Sequence, residues 1–305
     1  MSRPTLAIVG GTVVDAILPE TRTLPIWPAH TEFTNRNLVL LDHKPLITIG
    51  GNGANAAFVA ARRGLDVTLH TAVGREGLGF LARDWLKRAG VTVSSPAGVD
   101  STALNVTAAN QQHQRATFFY PGESPQIPLA SLLRAKPAAV LVCGWPHPPL
   151  SEIATAFARL RRAGILTALD TGPILGRPWS PRALRPVLAE LDLLFTNEHE
   201  LVAITRSKSL DAALALIRRW GAGHVLLKRG ADGVSWLAPD ATAAQDVPGR
   251  KIKVVNTVGA GDTFNGALLA AWLRGAKPLA AIREANTVAA KVVSSTKGVL
   301  GTPRR

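Results

Sequence analysis

The sequence predicts an α/β fold with a mostly parallel central sheet, helices on both of its faces, and a second, small sheet. Three observations predict it. Strand-like apolar runs alternate with longer runs of helical period along most of the chain. The strand-like runs are nearly continuous in apolar residues, as strands covered on both faces require. Two segments break the alternation: 14–48, rich in Pro, Thr and alternating apolar positions, and 91–120, with Thr, Val and Phe in alternation.

The elements follow in order. "TLAIVGG" (5–11) is the first strand, entered from a short basic stub that lacks the apolar segment and cleavage site of a signal peptide, so a cytoplasmic protein is expected. Segment 14–48 then has alternating apolar positions and reads as short antiparallel strands. "GANAAFVAARRG" (53–64) is a helix, "DVTLHTAVG" (66–74) a strand and "GFLARDWLKRAG" (79–90) a helix. Segment 91–120 again reads as antiparallel strands. The regular alternation resumes with strands at "AAVLVCGW" (138–145), "ILTALD" (165–170), "LLFTN" (193–197) and "HVLLKRG" (224–230). Helices at "LSEIATAFARLRRAG" (150–164) and "SLDAALALIRRWGAG" (209–223) are set among them. With no linker or repeat, residues 1–305 are expected to form one domain, its lid made by the excursions at 14–48 and 91–120.

Composition narrows the function classes. At 305 residues and 47% hydrophobic content the chain can bury a large core. No apolar run reaches the ~20 residues a membrane-spanning helix needs, so no membrane partner is expected. A lone cysteine, Cys143, in an apolar run excludes an intramolecular disulfide and a cysteine-built metal site, and reads as a buried, inert thiol. The net charge of +14 invites a nucleic-acid reading. The basic residues, however, sit in pairs before glycine, as in "ARRG", "LKRAG" and "LIRRWGAG". At such helix ends they favour the negative pole of the dipole and need no nucleic-acid partner.

The chemistry concentrates in "NTVGAGDTFNGALLAAWL" (256–273). After Asp262, apolar residues at Phe264, Ala267, Leu268, Ala271 and Trp272 predict an amphipathic helix facing the sheet. Gly259, Ala260 and Gly261 then lie at its N-terminus, where N–H groups without intrahelical partners and the dipole suit an anion such as phosphate. Asp262 is either a stabilising first-turn carboxylate or a base beside the anion hole, the arrangement phosphoryl transfer requires. The stretch lacks the G-x-x-x-x-G-K-[ST] pattern of a Walker loop.

"NTVGAGDTFNGALLAAW" resembles the C-terminal signature of the ribokinase-like (PfkB) family of carbohydrate and nucleoside kinases, and "GGNGANAAFVAARRG" (50–64) its N-terminal signature. The resemblance extends through "VGREGLGFLARDWLKRAGV" (73–91), "LFTNEHELVAIT" (194–205), "LLKRGADGVSW" (226–236) and "REANTVAAKVVSSTKG" (283–298). It implies a three-layer αβα fold with a β lid and ATP-dependent phosphorylation of a primary hydroxyl on a small sugar or sugar-like acceptor. By position it implies that Asp262 is the catalytic base, with Gly259, Ala260 and Gly261 as the anion hole. Asp15, Gly50, Gly51 and Asn55 would bind the acceptor. Asn197 and Glu200 would position Mg²⁺, largely through water, and the phosphates; Lys228, Gly230, Gly233 and Asn286 would meet the nucleotide.

Two positions depart from the family pattern. Asn256 stands where many members carry an aspartate that helps hold a monovalent cation, which puts K⁺ activation in doubt. Arg75 and Glu76 stand where many members place an Asp. The acceptor stays open between a sugar and a nucleoside, whose base pocket would draw on Trp27, Phe33, Phe118, Phe119 and Tyr120. A non-catalytic sugar-binding protein on the same fold is the remaining alternative. A homodimer paired through the lid is a further expectation.

Overall fold

The structure is a computed structural model that describes residues 2–18, 41–109, 115–143, 148–172, 179–255 and 257–305. The chain begins with β1 (Thr5–Gly10), β2 (Val13–Ile17) and β3 (Leu46–Gly50). Helix α1 (Asn52–Arg62) leads to β4 (Asp66–His70), and α2 (Gly77–Ala89) to β5 (Val91–Ser94). Strands β6 (Ala103–Ala109) and β7 (Arg115–Tyr120) precede α3 (Leu129–Ala135) and β8 (Ala139–Cys143). Then come α4 (Leu150–Arg162), β9 (Leu166–Asp170), α5 (Pro181–Leu188) and β10 (Leu193–Asn197). Helices α6 (Glu198–Thr205) and α7 (Leu210–Arg219) lead to β11 (His224–Lys228). Strands β12 (Val234–Leu237) and β13 (Gln245–Val247) and helices α8 (Ala260–Leu273) and α9 (Pro278–Val293) follow.

The strands form two sheets. The large one runs β13-β12-β11-β10-β9-β8-β1-β4-β5. It is parallel from β5 to β11, with an antiparallel edge of β12 and β13. Successive residues feed opposite cores, as the period of a strand dictates. On β1, Leu6 and Ile8 pack toward α1, α8 and α9, while Ala7 and Val9 pack toward α4 and α5. On β8, Leu141 and Cys143 take the first side and Val140 and Val142 the second. This is the three-layer α/β arrangement the residues predict. Among the described residues no helix is long and apolar enough to cross a membrane.

The second sheet runs β3-β2-β6-β7. Here the strand expectations need correcting. Residues 91–94 form β5 and extend the large sheet beside β4 rather than joining the lid. The central pair of the small sheet, β2 and β6, is parallel, because the two strands come from separate excursions and not from one hairpin. Residues 19–40, with Trp27 and Phe33, lie outside the described residues.

Helix ends follow the sequence signals. Lys87 and Arg88 occupy the last turn of α2 before left-handed Gly90, and Arg218 and Arg219 the last turn of α7. Helix α8 differs from expectation. It is buried on every side from Asp262 to Ala271, because it is wedged between α1 and α9 as well as against Phe195 of the sheet. Gly266 allows this, since a Cβ there would overlap the carbonyl of Ala56.

Candidate functional site

Asp170, Asn197 and Lys228 are the last residues of three adjacent parallel strands. Ligand crevices of open α/β sheets lie outside such carboxyl ends. The N-terminus of α8 meets them there.

Gly259 caps α8 with φ 75°, a left-handed conformation. A Cβ at this position would lie 2.8 Å from a methyl of Val299 and 3.0 Å from the amide nitrogen of Asn55. A Cβ on Gly261 would lie 3.4 Å from the Lys228 ammonium, so the cation rests directly against the helix tip. The Ala260 N–H donates to the carbonyl of Thr257 at 3.3 Å, which reduces the expected run of free amides. Those of Gly261 and Asp262, in the first turn, have no intrahelical acceptor. Partial positive charge from the dipole and a full charge on Lys228 converge on one point.

Asp262 is buried, and both carboxylate oxygens are engaged. Asn52 Nδ2 donates to Oδ1 at 2.8 Å and Asn55 Nδ2 to Oδ2 at 2.9 Å. Burial pushes the carboxyl above its ordinary range and Asp170 adds to this, while Asn55, Lys228 and Asn52 oppose it. The outcome is a fixed carboxylate with raised proton affinity.

Asp15 lies on β2 of the small sheet, also buried. Asn105 Nδ2 donates to its Oδ1 at 3.0 Å. Burial pushes its carboxyl up to about 6; the Asn105 bond lowers it and the charge of Asp262 raises it. The charge of Asp262 thus reaches Asp15 across the gap between the α8 tip and the small sheet. Gly50 leaves the space that Asp15 occupies, since a Cβ there would overlap the carboxylate. Gly51, at φ 83°, packs against the Gly11 carbonyl and starts α1, so that Asn52 and Asn55 face Asp262. Strand register aligns Thr48, Asp15, Asn105 and Phe119 in one row across the sheet. The hydroxyl of Thr48 is buried and has no partner among the described residues. The face on the opposite side of the sheet exposes Ile47, Phe118 and Tyr120.

Asn197 caps α6 in a reciprocal capping box with Glu200: Asn197 Oδ1 accepts from the Glu200 N–H at 2.8 Å, and the Glu200 carboxylate accepts from the Asn197 N–H at 3.2 Å. Glu200 also accepts from the Thr171 hydroxyl at 2.6 Å, and burial followed by the charge of Asp170 pushes its carboxyl up. No group of three His, Cys, Asp or Glu side chains among the described residues could hold a metal directly. The set fits a Mg²⁺ that keeps most of its waters and binds through phosphate, as this hard ion does.

Gly230 and Gly233 bound a short turn after β11, with Gly233 at φ 95° pressed against the backbone of 247–249. Gly230 and Ala231 line a cavity of 470 Å³ with Ile252, Val254, Ala260, Asn286 and Ala290. Asn286 stands in its wall, but its Nδ2 donates to the carbonyls of Val247 and Pro248. Contacts and charge interactions therefore link Asp15, Gly50, Gly51, Asn55, Asn197, Glu200, Lys228 and Asp262 into one cluster, with Gly230 and Asn286 lining the cavity beside Ala260 and Gly233 in the turn next to it. Asn256 lies outside the described residues. Glu76 accepts from the Thr102 N–H at 2.7 Å and starts α2.

Sequence reasoning missed Asn52, Asn105, Asp170 and Asn265. Asn52 stands in the quoted "GGNGAN" stretch, and Asp170 ends a buried parallel strand, so both carried a signal. Asn105 carried none short of strand register.

Comparison with known proteins follows this geometry. A model of the pfkB family of carbohydrate kinases matches residues 5–305. A nucleoside kinase of Methanothermobacter thermautotrophicus is 29% identical over 251 residues, covering 80% of this chain and 78% of its own. An ATP-dependent ribose-1-phosphate kinase of Halopiger xanaduensis is 28% identical over 246 residues, covering 79% of each chain. The crystal structure of Arabidopsis thaliana ribokinase complexed with ribose and ATP superimposes with a TM-score of 0.80 at 21% identity, covering 99% of this chain and 96% of that one.

Proposed function

The chain belongs to the pfkB family of carbohydrate kinases, and from that premise we propose that it transfers the γ-phosphoryl group of ATP to a primary hydroxyl of a small sugar or sugar-like acceptor. The single observation that carries this reading is a buried carboxylate, Asp262, held by two amides at a helix tip that also faces a lysine ammonium.

The step follows from the residues. The acceptor hydroxyl enters between Asp15 and Asp262. Its oxygen attacks the γ-phosphorus, its proton passes to Asp262, and the bond from the γ-phosphorus to the β,γ-bridging oxygen breaks, leaving ADP. Asn52 and Asn55 fix the carboxylate so that a lone pair is presented to the hydroxyl. The Gly261 and Asp262 amides and Lys228 relieve charge on the transferring phosphoryl oxygens. Asn197 and Glu200 would hold Mg²⁺ through water; when bound, it neutralises phosphate charge. The 470 Å³ cavity beside Gly230 is apolar enough to take a purine. The small sheet acts as a lid that excludes water as a competing acceptor, and its exposed Phe118 face is where a second copy would pair.

A nucleoside acceptor is the second reading. Phe119, in the row of Asp15 and Asn105, favours it, because an aromatic ring there can stack on a base. The test is ATP-dependent phosphorylation across ribose, fructose, ketodeoxygluconate, a phosphosugar and several nucleosides. Turnover of at least one acceptor, lost in Asp262→Asn, supports the reading. ATP and sugar binding without turnover would favour a non-catalytic protein.

A further inference from the structure

Asp170 has no part in the step described above, yet among the described residues it accepts three hydrogen bonds, more than Asp15, Asp262 or Glu200. It is buried at the end of β9. Its Oδ1 accepts from Lys228 Nζ at 3.2 Å and from the Gly172 N–H at 3.2 Å. Its Oδ2 accepts from Asn265 Nδ2 at 2.6 Å. Asn265 is wholly buried, one turn beyond Asp262 on α8, and its own Oδ1 has no partner among the described residues. Asp170 thus ties two elements together: the strand-end lysine, whose side chain is only 16% exposed, and the helix that carries Asp262.

A buried carboxylate needs an adjacent counter-charge, and Lys228 supplies it. This lysine is the one whose ammonium abuts Gly261, at the anion hole. A lysine is a flexible point charge on a long stem, so its usefulness at a phosphoryl group depends on what holds its head. We propose that Asp170 is a positioning residue for phosphoryl transfer, holding the Lys228 ammonium at the anion hole and fixing the α8 tip through Asn265. The assignment rests on the kinase reading and deepens it.

Asp170 also acts on the base at a distance. The groups facing Asp262 are Asp15 on β2, Asn52 and Asn55 on α1, Cys143 on β8, Asp170 on β9 and Lys228 on β11. Among the charged ones Asp170 is the strongest influence raising the proton affinity of Asp262, and Lys228 lowers it. The two partners of one ion pair therefore push the base in opposite directions.

The test compares Asp170→Asn, Lys228→Met and the double variant with wild type, using the acceptor that wild type phosphorylates. Asp170→Asn is expected to lower kcat by about 10-fold or more, since oriented electrostatic groups carry effects of that size, while KM for ATP stays level or falls because a negative charge has left the pocket. The acidic limb of its kcat–pH profile moves to lower pH, and that of Lys228→Met moves to higher pH. Loss of charge alone moves the limbs, so positioning is read from kcat: the double variant should lose no more than Lys228→Met alone, whereas a role independent of Lys228 makes the two losses multiply. Should Asp170→Asn not fold, as judged by thermal melting, the double variant removes both charges and restores a neutral pair; its acidic limb is then expected below that of Lys228→Met. Folded Asp170→Asn with wild-type kcat, or limbs that coincide across the set, overturns the assignment. Absence of phosphorylation by wild type overturns the underlying kinase reading instead.

Discussion

The site has two buried aspartates in contrasting surroundings. Asp262, on the phosphoryl side, has both oxygens bonded by amides and a lysine ammonium within its field. Among the described residues Asp15, on the lid side, has one amide partner and no cation, and the neighbouring Thr48 hydroxyl is unpaired. The Asp262 carboxylate has both oxygens bonded before any ligand arrives, although the amide oxygens of Asn55 and Asn265 and the Thr263 hydroxyl beside it have no partner among the described residues. The lid side is under-satisfied, and buried polar groups without partners are what a hydroxyl-rich acceptor would complete. On the proposed reading, phosphoryl transfer belongs to the first side and selection among acceptors to the second.

The largest effect expected from this contrast is on turnover. Asp262→Asn keeps the shape but removes the proposed base and one of the two acceptors, so Asn52 or Asn55 loses its bond unless its amide flips, and kcat is expected to fall about 10³-fold, within the range for general-base removal. Binding of a non-hydrolysable ATP analogue by calorimetry should change little. Equal losses in both would make the two sides one indivisible unit.

Asp15→Asn should act on the acceptor instead. KM for the acceptor is expected to rise about 10- to 100-fold, the size of one lost charged hydrogen bond or somewhat more, with kcat much less affected. The same variant carries a stability signature. The folded carboxyl titrates at about 6 against 3.8 in the unfolded chain, so between those values the folded state binds more protons. Stability conferred by the neutral form is full below 3.8 and is lost as pH rises through about 6. Asp15→Asn, permanently neutral, should therefore gain on the order of 2–3 kcal/mol over wild type at pH 8 and nothing at pH 3.5, read from denaturant melts.

Phe119→Ala sharpens the lid side further. If the ring stacks on a base, kcat/KM for nucleosides drops about 10-fold, a stacking-sized loss, while free sugars are unaffected. Equal losses for both acceptor types would leave the ring a packing role. The smallest effect belongs to Asn197→Ala. Removing this cap should cost about 1 kcal/mol of stability, measurable as a lower melting temperature, and should leave acceptor KM unchanged.

The same contrast explains what could be read beforehand. The alternating layers and the Gly259–Asp262 tip were legible because local period and local glycine pattern encode them. The roles of Asn55 and Asp15 came from resemblance, and their convergence on one crevice is visible only in three dimensions. The parallel β2–β6 pair and the membership of residues 91–94 in the large sheet were not legible, since strand partners distant in sequence leave no local mark. Asn105 and Thr48 escaped for the same reason: only register sets them beside Asp15. Asp170 was quoted as the end of a strand, but an aspartate there is equally a turn residue until Lys228 and Asn265 are seen to meet it.

The amides that hold Asp262 come from 207 and 210 positions earlier in the chain. Contacts of such separation are slow to close during folding and late to appear during synthesis. Until α8 docks on α1, the carboxylate has neither partner, and a half-made chain cannot hydrolyse nucleotide wastefully. With Asp262 as the base, first turnover would wait for α8 to dock on α1, and the onset of activity during refolding would report that docking.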